Sequence, residues 1–184
     1  MRTTAWFLVL LALSFAATAE EAHLDHPRWS VEIKGGVFAP ALKDWSRYYD
    51  KDTMPEYAVS LAYNPLRQVS IGAGAGAMSA TGKAYNQRSQ NPAGEATYEL
   101  NPVNVFVIVR GARHDEQWLV PYIGGGWTRI YYREMITGQE TIRGNADGYH
   151  VRGGVLLSLD IVDAGASTRM YADYGIRNTY FFIE

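Results

Sequence analysis

The chain has 184 residues, 47% of them hydrophobic and 20% charged, with a formal net charge of -2 and no cysteine. This length is typical of a single domain. A near balance of 17 basic and 19 acidic residues gives no electrostatic footprint for nucleic acid, and an aromatic content of 13% is too high for a disordered chain. The absence of cysteine excludes a disulfide scaffold, a thiolate zinc site and a cysteine nucleophile.

Residues 1–19 have the pattern of a secretory signal peptide. A basic start at Arg2 is followed by an apolar run from Ala5 to Phe15 and by the small residues Ala17-Thr18-Ala19. The apolar run is shorter than the about 18 residues of a membrane-spanning helix, so we expect cleavage near Ala19 rather than anchoring. No cysteine follows that could carry a lipid, and residues 20–28 are predicted to form a periplasmic N-terminal segment.

The remaining residues, 29–184, are predicted to form one all-β domain. Alternating or aromatic-rich runs recur along this region between clusters of Gly, Pro, Asn and Asp, without a sustained helical periodicity. Seven strands are predicted: Trp29 to Phe38, Pro55 to Asn64, Arg67 to Met78, Thr97 to Arg110, Gln117 to Arg133, Gly148 to Asp160 and Arg169 to Ile183.

The predicted connections alternate in length. Short ones span residues 64–66, 111–116 and 161–168, and long polar ones span 39–54, 79–96 and 134–147. Tight turns on one side and long loops on the other are typical of an antiparallel up-and-down transmembrane β-barrel of the outer membrane. Aromatic residues near the predicted strand ends, such as Trp29, Trp118 and Tyr149, agree with two interfacial girdles.

Alternation within the strands separates an apolar face from a polar one. In the sixth predicted strand Val151, Val155 and Leu157 share one face, and His150 and Arg152 share the other. The charged residues predicted to face the lumen are Glu32, Lys34, Arg129, Arg133, Arg152, Asp173 and Arg177. An eight-stranded barrel is just wide enough to be filled by side chains. These charges would therefore either neutralise one another and plug the lumen, or line a narrow path for a small solute.

The glycines of the third predicted strand have two interpretations. Gly72, Gly74 and Gly76 alternate with alanine, and they would either leave a local gap or ease packing at a constriction. Their spacing does not match a phosphate-binding loop, so nucleotide binding is not expected.

The strand Val120-Pro121-Tyr122-Ile123-Gly124-Gly125-Gly126-Trp127 resembles the Pro-Tyr-aliphatic-Gly-x-Gly strand of small outer-membrane barrels of the outer-membrane protein A and W type. Residues 148–155 and 171–177 resemble the strands that follow in that pattern, and the resemblance extends from about residue 29 to the end of the chain. It implies an eight-stranded barrel in the outer membrane of a Gram-negative bacterium. The expected partners of such a barrel are outer-membrane lipid and the outer-membrane assembly machinery, and the W type further implies passage of a small solute. The mixed charged and aromatic composition of residues 39–54 is compatible with binding lipopolysaccharide or a surface partner.

Only seven strands are predicted, whereas bacterial single-chain barrels have an even number. Either the sequence is a fragment lacking its final loop and strand, or residues 139–143 form a further strand; we expect the first. A stable barrel of seven strands is the poorest option, because each unpaired backbone group in lipid costs several kcal/mol.

Two other functions compete with a structural, surface-interaction or solute-passage role. A lipid-modifying enzyme needs a nucleophile and a base held together. Of the four histidines only His150 lies in a predicted strand, and no serine is spaced to pair with it, so we expect no catalysis, cofactor or metal site. A secreted soluble barrel of lipocalin type would instead bind a small apolar ligand, with Val151, Val155 and Leu157 turned inward.

Overall fold

The computed structural model describes residues 11–17, 26–41, 45, 49, 52–85, 92–113, 117–160 and 162–184. The described chain is all-β with one short helix. Its elements in chain order are β1 (Leu11–Ala17), β2 (Trp29–Phe38), β3 (Met54–Leu66), β4 (Val69–Tyr85), β5 (Pro92–Arg110), β6 (Leu119–Ile136), β7 (Ile142–Ser158), α1 (Ala164–Tyr174) and β8 (Ile176–Ile183).

Strands β2 to β8 form one antiparallel up-and-down sheet in which each strand pairs with the next along the chain. The predicted all-β antiparallel architecture with seven strands after residue 28 is confirmed. The short strand β1 pairs with both outer strands of this sheet, β2 and β8. Within the described residues, the ring of strands is therefore completed only through a segment that the sequence predicts to be a leader. Removal of residues 1–19 would leave β2 and β8 as the two edges of the sheet.

Two of the predicted long loops are mostly strand. Strand β6 continues to Ile136 and β7 begins at Ile142, so the loop predicted over residues 134–147 is wrong. The connection is a tight turn in which Gln139 N donates to Ile136 O at 3.0 Å and Gly138 has a φ of 79°. Residues 139–143 are accordingly part of this turn and of β7, not an additional strand. Strands β4 and β5 likewise extend to Tyr85 and from Pro92 into the loop predicted over residues 79–96.

The strand predicted from Arg169 is wrong in its first half, where α1 extends through Tyr174. The Asp163 side chain caps the helix by accepting from Ala166 N at 2.8 Å, and Gly175 ends it in the left-handed conformation. The short alternation of residues 172–177 resembled a strand, but the caps and the good helix formers between them favour a helix. The connection before β8 is therefore not the short turn predicted over residues 161–168.

The two faces of the sheet differ in polarity, as strand β5 illustrates. Val103, Val105, Val107 and Val109 are between 43% and 52% exposed on the outward face, whereas the intervening Phe106 is 4% exposed on the inward face. The end of the sheet where residues 67–68 connect β3 to β4 is here named the turn end. The opposite end, where Gly138 connects β6 to β7, is named the loop end.

The inward glycines of β4 accommodate a large side chain of the neighbouring strand. A Cβ added at Gly72 would lie 2.6 Å from Phe106 Cζ and 2.7 Å from the backbone oxygen of Leu61. Of the two interpretations, close packing is therefore the one that applies at Gly72, because the Phe106 ring occupies the space that a side chain would need.

Gly72→Ala is expected to destabilise the protein by about 1 to 3 kcal/mol, because the added methyl group meets both a ring and a backbone oxygen. The matched control is Gly153→Ala, whose added Cβ would meet only Tyr122 O at an ordinary 3.5 Å. Thermal unfolding followed by circular dichroism measures both variants. Equal unfolding midpoints for the two variants would contradict this account of the β4 glycines.

Candidate functional site

The inward face carries three layers of side chains between the turn end and the loop end. The layer nearest the turn end is apolar and the layer nearest the loop end is largely aromatic. Between them lies an ionic layer. The apolar layer contains Ala62, Phe106, Ile108, Val120, Tyr122, Leu156 and Phe182.

The ionic layer is a chain of two cations and three carboxylates. Arg152 bonds Glu32 Oε1 at 2.7 Å through Nη2 and Glu184 Oε2 at 2.6 Å through Nε. Lys34 Nζ lies 2.9 Å from Glu184 Oε1 and 3.3 Å from Glu56 Oε1. The five side chains are only 11% to 18% exposed, so these are mostly buried ion pairs. Because each charge has a partner of opposite sign, the arrangement avoids the cost of an isolated buried ion.

Aromatic rings hold the centre of the ionic layer against the apolar layer. The Arg152 guanidinium lies 5.4 Å from the centroid of the Phe106 ring and 5.8 Å from that of Tyr122. Both distances allow a cation–π attraction. The Tyr122 hydroxyl also donates to Glu184 Oε2 at 2.9 Å. The guanidinium is thus fixed from two sides, by carboxylates and by rings.

The structure brings together three of the charged residues that the sequence predicted to face the lumen, namely Glu32, Lys34 and Arg152. Two further members of the ionic layer, Glu56 and Glu184, were missed. Glu56 alternates with the apolar residues of β3 and was open to the same inference. Glu184 follows β8, whose alternation was misassigned together with the helix.

Arg129 and Arg133 do not face the interior, which corrects the prediction for both. The pairing of β6 with β5 and β7 shows no register shift, so the outward face that carries Ile123 continues through both arginines. Arg129 Nε lies 2.8 Å from Asp147 Oδ1, and Arg133 Nε lies 3.5 Å from Glu99 Oε2. A charged residue in an alternating strand therefore does not by itself indicate the lumen. Here the two arginines lie where the outward face becomes polar towards the loop end.

Asp173 and Arg177 also lie elsewhere than predicted. Asp173 is exposed in α1, where the predicted strand alternation does not apply. Arg177 is exposed on β8, with its guanidinium 5.5 Å from the centroid of the Tyr171 ring. The inward face of β8 carries the residues that alternate with Arg177, including Tyr180 and Phe182.

Two aromatic residues from the β2–β3 connection pack over the interior at the loop end. The rings of Trp45 and Tyr49 stack with centroids 4.1 Å apart, and both side chains are buried. Trp45 also meets the Tyr98 ring edge-on at 5.7 Å. Burial raises the pKa of the Tyr49 hydroxyl to about 12, and the nearby carboxylate of Glu134 contributes to the same shift. The sequence placed Trp45 and Tyr49 in a long loop and gave no signal that they cover the interior.

The turn end has a cavity of about 80 Å³, and side chains of the apolar layer form part of its lining. Its lining mixes aliphatic side chains with polar ones, among them Asn64 and Arg110. No local sequence pattern predicts this cavity, because its lining residues come from six separated segments of the chain.

His150 lies on the inward face of β7. Its Nδ1 lies 2.7 Å from the hydroxyl oxygen of Thr128, so the two side chains share a hydrogen bond. Among the residues that the structure describes, no group of three or more His, Asp or Glu side chains is placed to hold a metal ion.

No helix in the described ranges has both the length and the hydropathy needed to cross a membrane. Comparison with protein-family models, with curated proteins and with solved structures gave no match to this chain. The geometry described above is therefore the basis for the functional proposal.

Arg152→Met is expected to destabilise the protein by about 3 to 5 kcal/mol, because Glu32 and Glu184 would lose their buried partner. Arg129→Met is the matched control. It removes an arginine that pairs with Asp147 on the exposed face, and no resolvable loss is expected. Chemical unfolding in urea measures both variants. An Arg152→Met variant as stable as the control would show that the ionic layer does not stabilise the fold.

Proposed function

We propose that the protein is an outer-membrane β-barrel with a structural or surface-interaction role, whose lumen is closed by side chains in its resting state. The observation that carries this proposal is the polarity of the two faces: mostly buried ion pairs occupy the interior, and aliphatic side chains cover the outside. A barrel surrounded by lipid requires this arrangement, whereas a water-soluble barrel requires the reverse.

The outward aliphatic side chains form a belt across six neighbouring strands. Its members are between 43% and 82% exposed, and they are Ile33, Val59, Leu61, Ile71, Val103, Val105, Val107, Val109, Ile123 and Val151. Soluble monomers rarely expose contiguous apolar surface on this scale. In a bilayer the same residues would contact acyl chains, so the belt favours a membrane environment.

Aromatic residues lie near the borders of the aliphatic belt. Towards the turn end, Trp29 and Tyr63 pack edge to face with centroids 5.2 Å apart, and Trp118 is 64% exposed. Towards the loop end, Tyr57 and Tyr149 are both strongly exposed. Aromatic side chains prefer the membrane–water interface, so their positions support two girdles around a transmembrane belt.

The soluble lipocalin-like alternative receives less support. That function needs an aliphatic interior with Val151 turned inward, but Val151 is 82% exposed and the interior holds Arg152 with its carboxylates. An apolar ligand would have to displace ion pairs, at a high cost in desolvation.

The membrane proposal also requires a strand between β2 and β8, because unpaired backbone groups in hydrocarbon cost several kcal/mol each. In the structure β1 occupies this position. The proposed route is secretion through a leader cleaved near Ala19, followed by insertion into the outer membrane of a Gram-negative bacterium. That cleavage removes β1, so another strand must then pair with β2 and β8.

Narrow passage of a small solute is the second candidate function, and the cavity at the turn end favours it. The cavity includes Glu32 in its lining, so it reaches the ionic layer that would form the barrier. The aromatic cover at the loop end would be a second barrier on such a path.

Lipid contact of the aliphatic belt is tested by single cysteines introduced at Val105 and Ile123, because the chain has no native cysteine. A fluorophore attached at either site in reconstituted vesicles is expected to be strongly quenched by lipids brominated on their acyl chains. Arg143→Cys, on the same outward face but beyond the belt, is the control and is expected to show weak quenching. A heat-dependent shift on a denaturing gel confirms folding before the measurement. Equal quenching at all three sites would contradict the transmembrane belt.

The closed lumen is tested by conductance across planar lipid bilayers. The unmodified protein is expected to show no steady conductance, because ion pairs and rings fill the interior. The double substitution Phe106→Ala with Arg152→Ala removes the central ring and cation, and it is expected to produce steps of conductance. Arg177→Ala, an exposed change on β8, is the control and should behave like the unmodified protein. Steady conductance of the unmodified protein would reject the closed lumen and favour solute passage.

A further inference from the structure

The cavity at the turn end has a positively charged group on one side and aliphatic walls on the other. Arg110 and Asn64 lie in the polar part of the lining, and Ile108, Val120 and Leu156 form much of the aliphatic part. The volume of about 80 Å³ is smaller than the ~150 Å³ cavity that accommodates benzene, so a ligand would have only a few non-hydrogen atoms.

The Arg110 guanidinium is poorly satisfied by the protein. Within the described part of the chain, its side chain makes one long hydrogen bond, from Nη1 to Asn64 Oδ1 at 3.4 Å, and no ion pair. Asn64 Oδ1 is already engaged by the Ser70 hydroxyl at 2.6 Å. A guanidinium has five N–H donors, and the Arg110 nitrogens that lack a protein partner are not fully buried, so solvent or a ligand can reach them. Arg110 therefore presents most of its donors to the cavity.

The nearby carboxylates do not bond the Arg110 guanidinium. Within the described residues, the ionic layer has three carboxylates. Each carboxylate is bonded to Lys34 or to Arg152 and not to Arg110. Glu32 shares the cavity lining with Arg110, but its Oε1 atom lies 2.7 Å from Arg152.

We propose that this cavity binds a small aliphatic monocarboxylate. The planar fork of the Arg110 guanidinium matches the two oxygens of a carboxylate, and such bidentate pairs are among the stronger polar contacts in proteins. The short hydrocarbon part of the ligand contacts Ile108, Val120 and Leu156. This binding goes beyond the proposed membrane function and does not depend on it, because the cavity is lined by inward-facing strand residues and by neighbouring connections, not by the outward belt.

Acetate is the probe, and the full chain folded in detergent micelles is the sample. Acetate is titrated from 0 to about 100 mM with sodium chloride adjusted to keep the ionic strength constant, because screening alone changes stability. The unfolding midpoint is expected to rise by a few degrees and to saturate, with a dissociation constant on the order of 10 mM for a ligand of this size. Saturation-transfer NMR from the protein to the acetate methyl group measures binding directly.

Substitutions separate the arginine fork from a general effect of charge. Arg110→Gln is expected to abolish binding, and Arg110→Lys, which keeps the charge without the fork, to weaken it roughly 5-fold or more. Ala112→Leu reduces the cavity while leaving Arg110 in place, and it is also expected to abolish binding. Arg113→Gln is the matched control, since Arg113 is exposed near the same turn and does not line the cavity.

The proposal is overturned if acetate gives no saturable effect, if chloride acts equally, or if binding survives in Arg110→Gln or Ala112→Leu. Should Arg110→Gln fail to fold, Ala112→Leu decides the question. Acetate binding by a protein that shows no quenching in vesicles would support the cavity site and reject the membrane proposal. Quenching in vesicles without acetate binding would support the membrane proposal and reject the cavity site.

Discussion

The sharing of three buried carboxylates between Lys34 and Arg152 is the interaction on which the interior depends. The charges come from β2, β3 and β7 and from Glu184 after β8, so one network joins strands that are distant in the sequence. Ion pairs of this kind are poor sources of net stability compared with apolar packing, but removing one partner leaves an uncompensated charge. The network therefore contributes more to determining which residues face inward than to net stability. Because strand residues alternate, the aliphatic side chains of the belt then face outward.

The layers on either side of the ionic network stabilise its charges. Phe106 and Tyr122 present rings to Arg152, and the small glycines of β4 leave room for the Phe106 ring. The stacked Trp45 and Tyr49 cover the interior at the loop end and limit the access of water from that side. Less water around the ion pairs strengthens their attraction. The turn end differs, since Arg110 there lines a cavity and has no carboxylate bonded to it among the described residues.

The strands, and part of the ionic layer, could be predicted because alternation is a local property. The predicted bounds of β2 match the structure, and Glu32, Lys34 and Arg152 were placed on the face that the structure brings together. Arg129 and Arg133 were misplaced because the sequence does not reveal where along a strand the outward face changes from aliphatic to polar. The helix before β8 was not predicted because the short alternation of residues 172–177 is typical of a strand. The structure shows the caps that fix the helix, Asp163 and Gly175. The cavity around Arg110 could not be predicted, since it depends on residues from separated segments.

Strand β1 raises the question of how the sheet is closed. Its register aligns Leu11, Leu13 and Phe15 with Gly35, Ile33 and Val31 of β2, so a short apolar run suits both a leader and a strand. Cleavage near Ala19 and closure by this segment cannot occur in the same molecule. The three interior layers, however, are built from residues that follow position 28. The contribution of β1 that the structure defines is backbone pairing at both edges, and any strand with an alternating pattern could supply that pairing. The arrangement of the interior and the closure of the ring are therefore separate problems, and the residues of β2 to β8 settle the first.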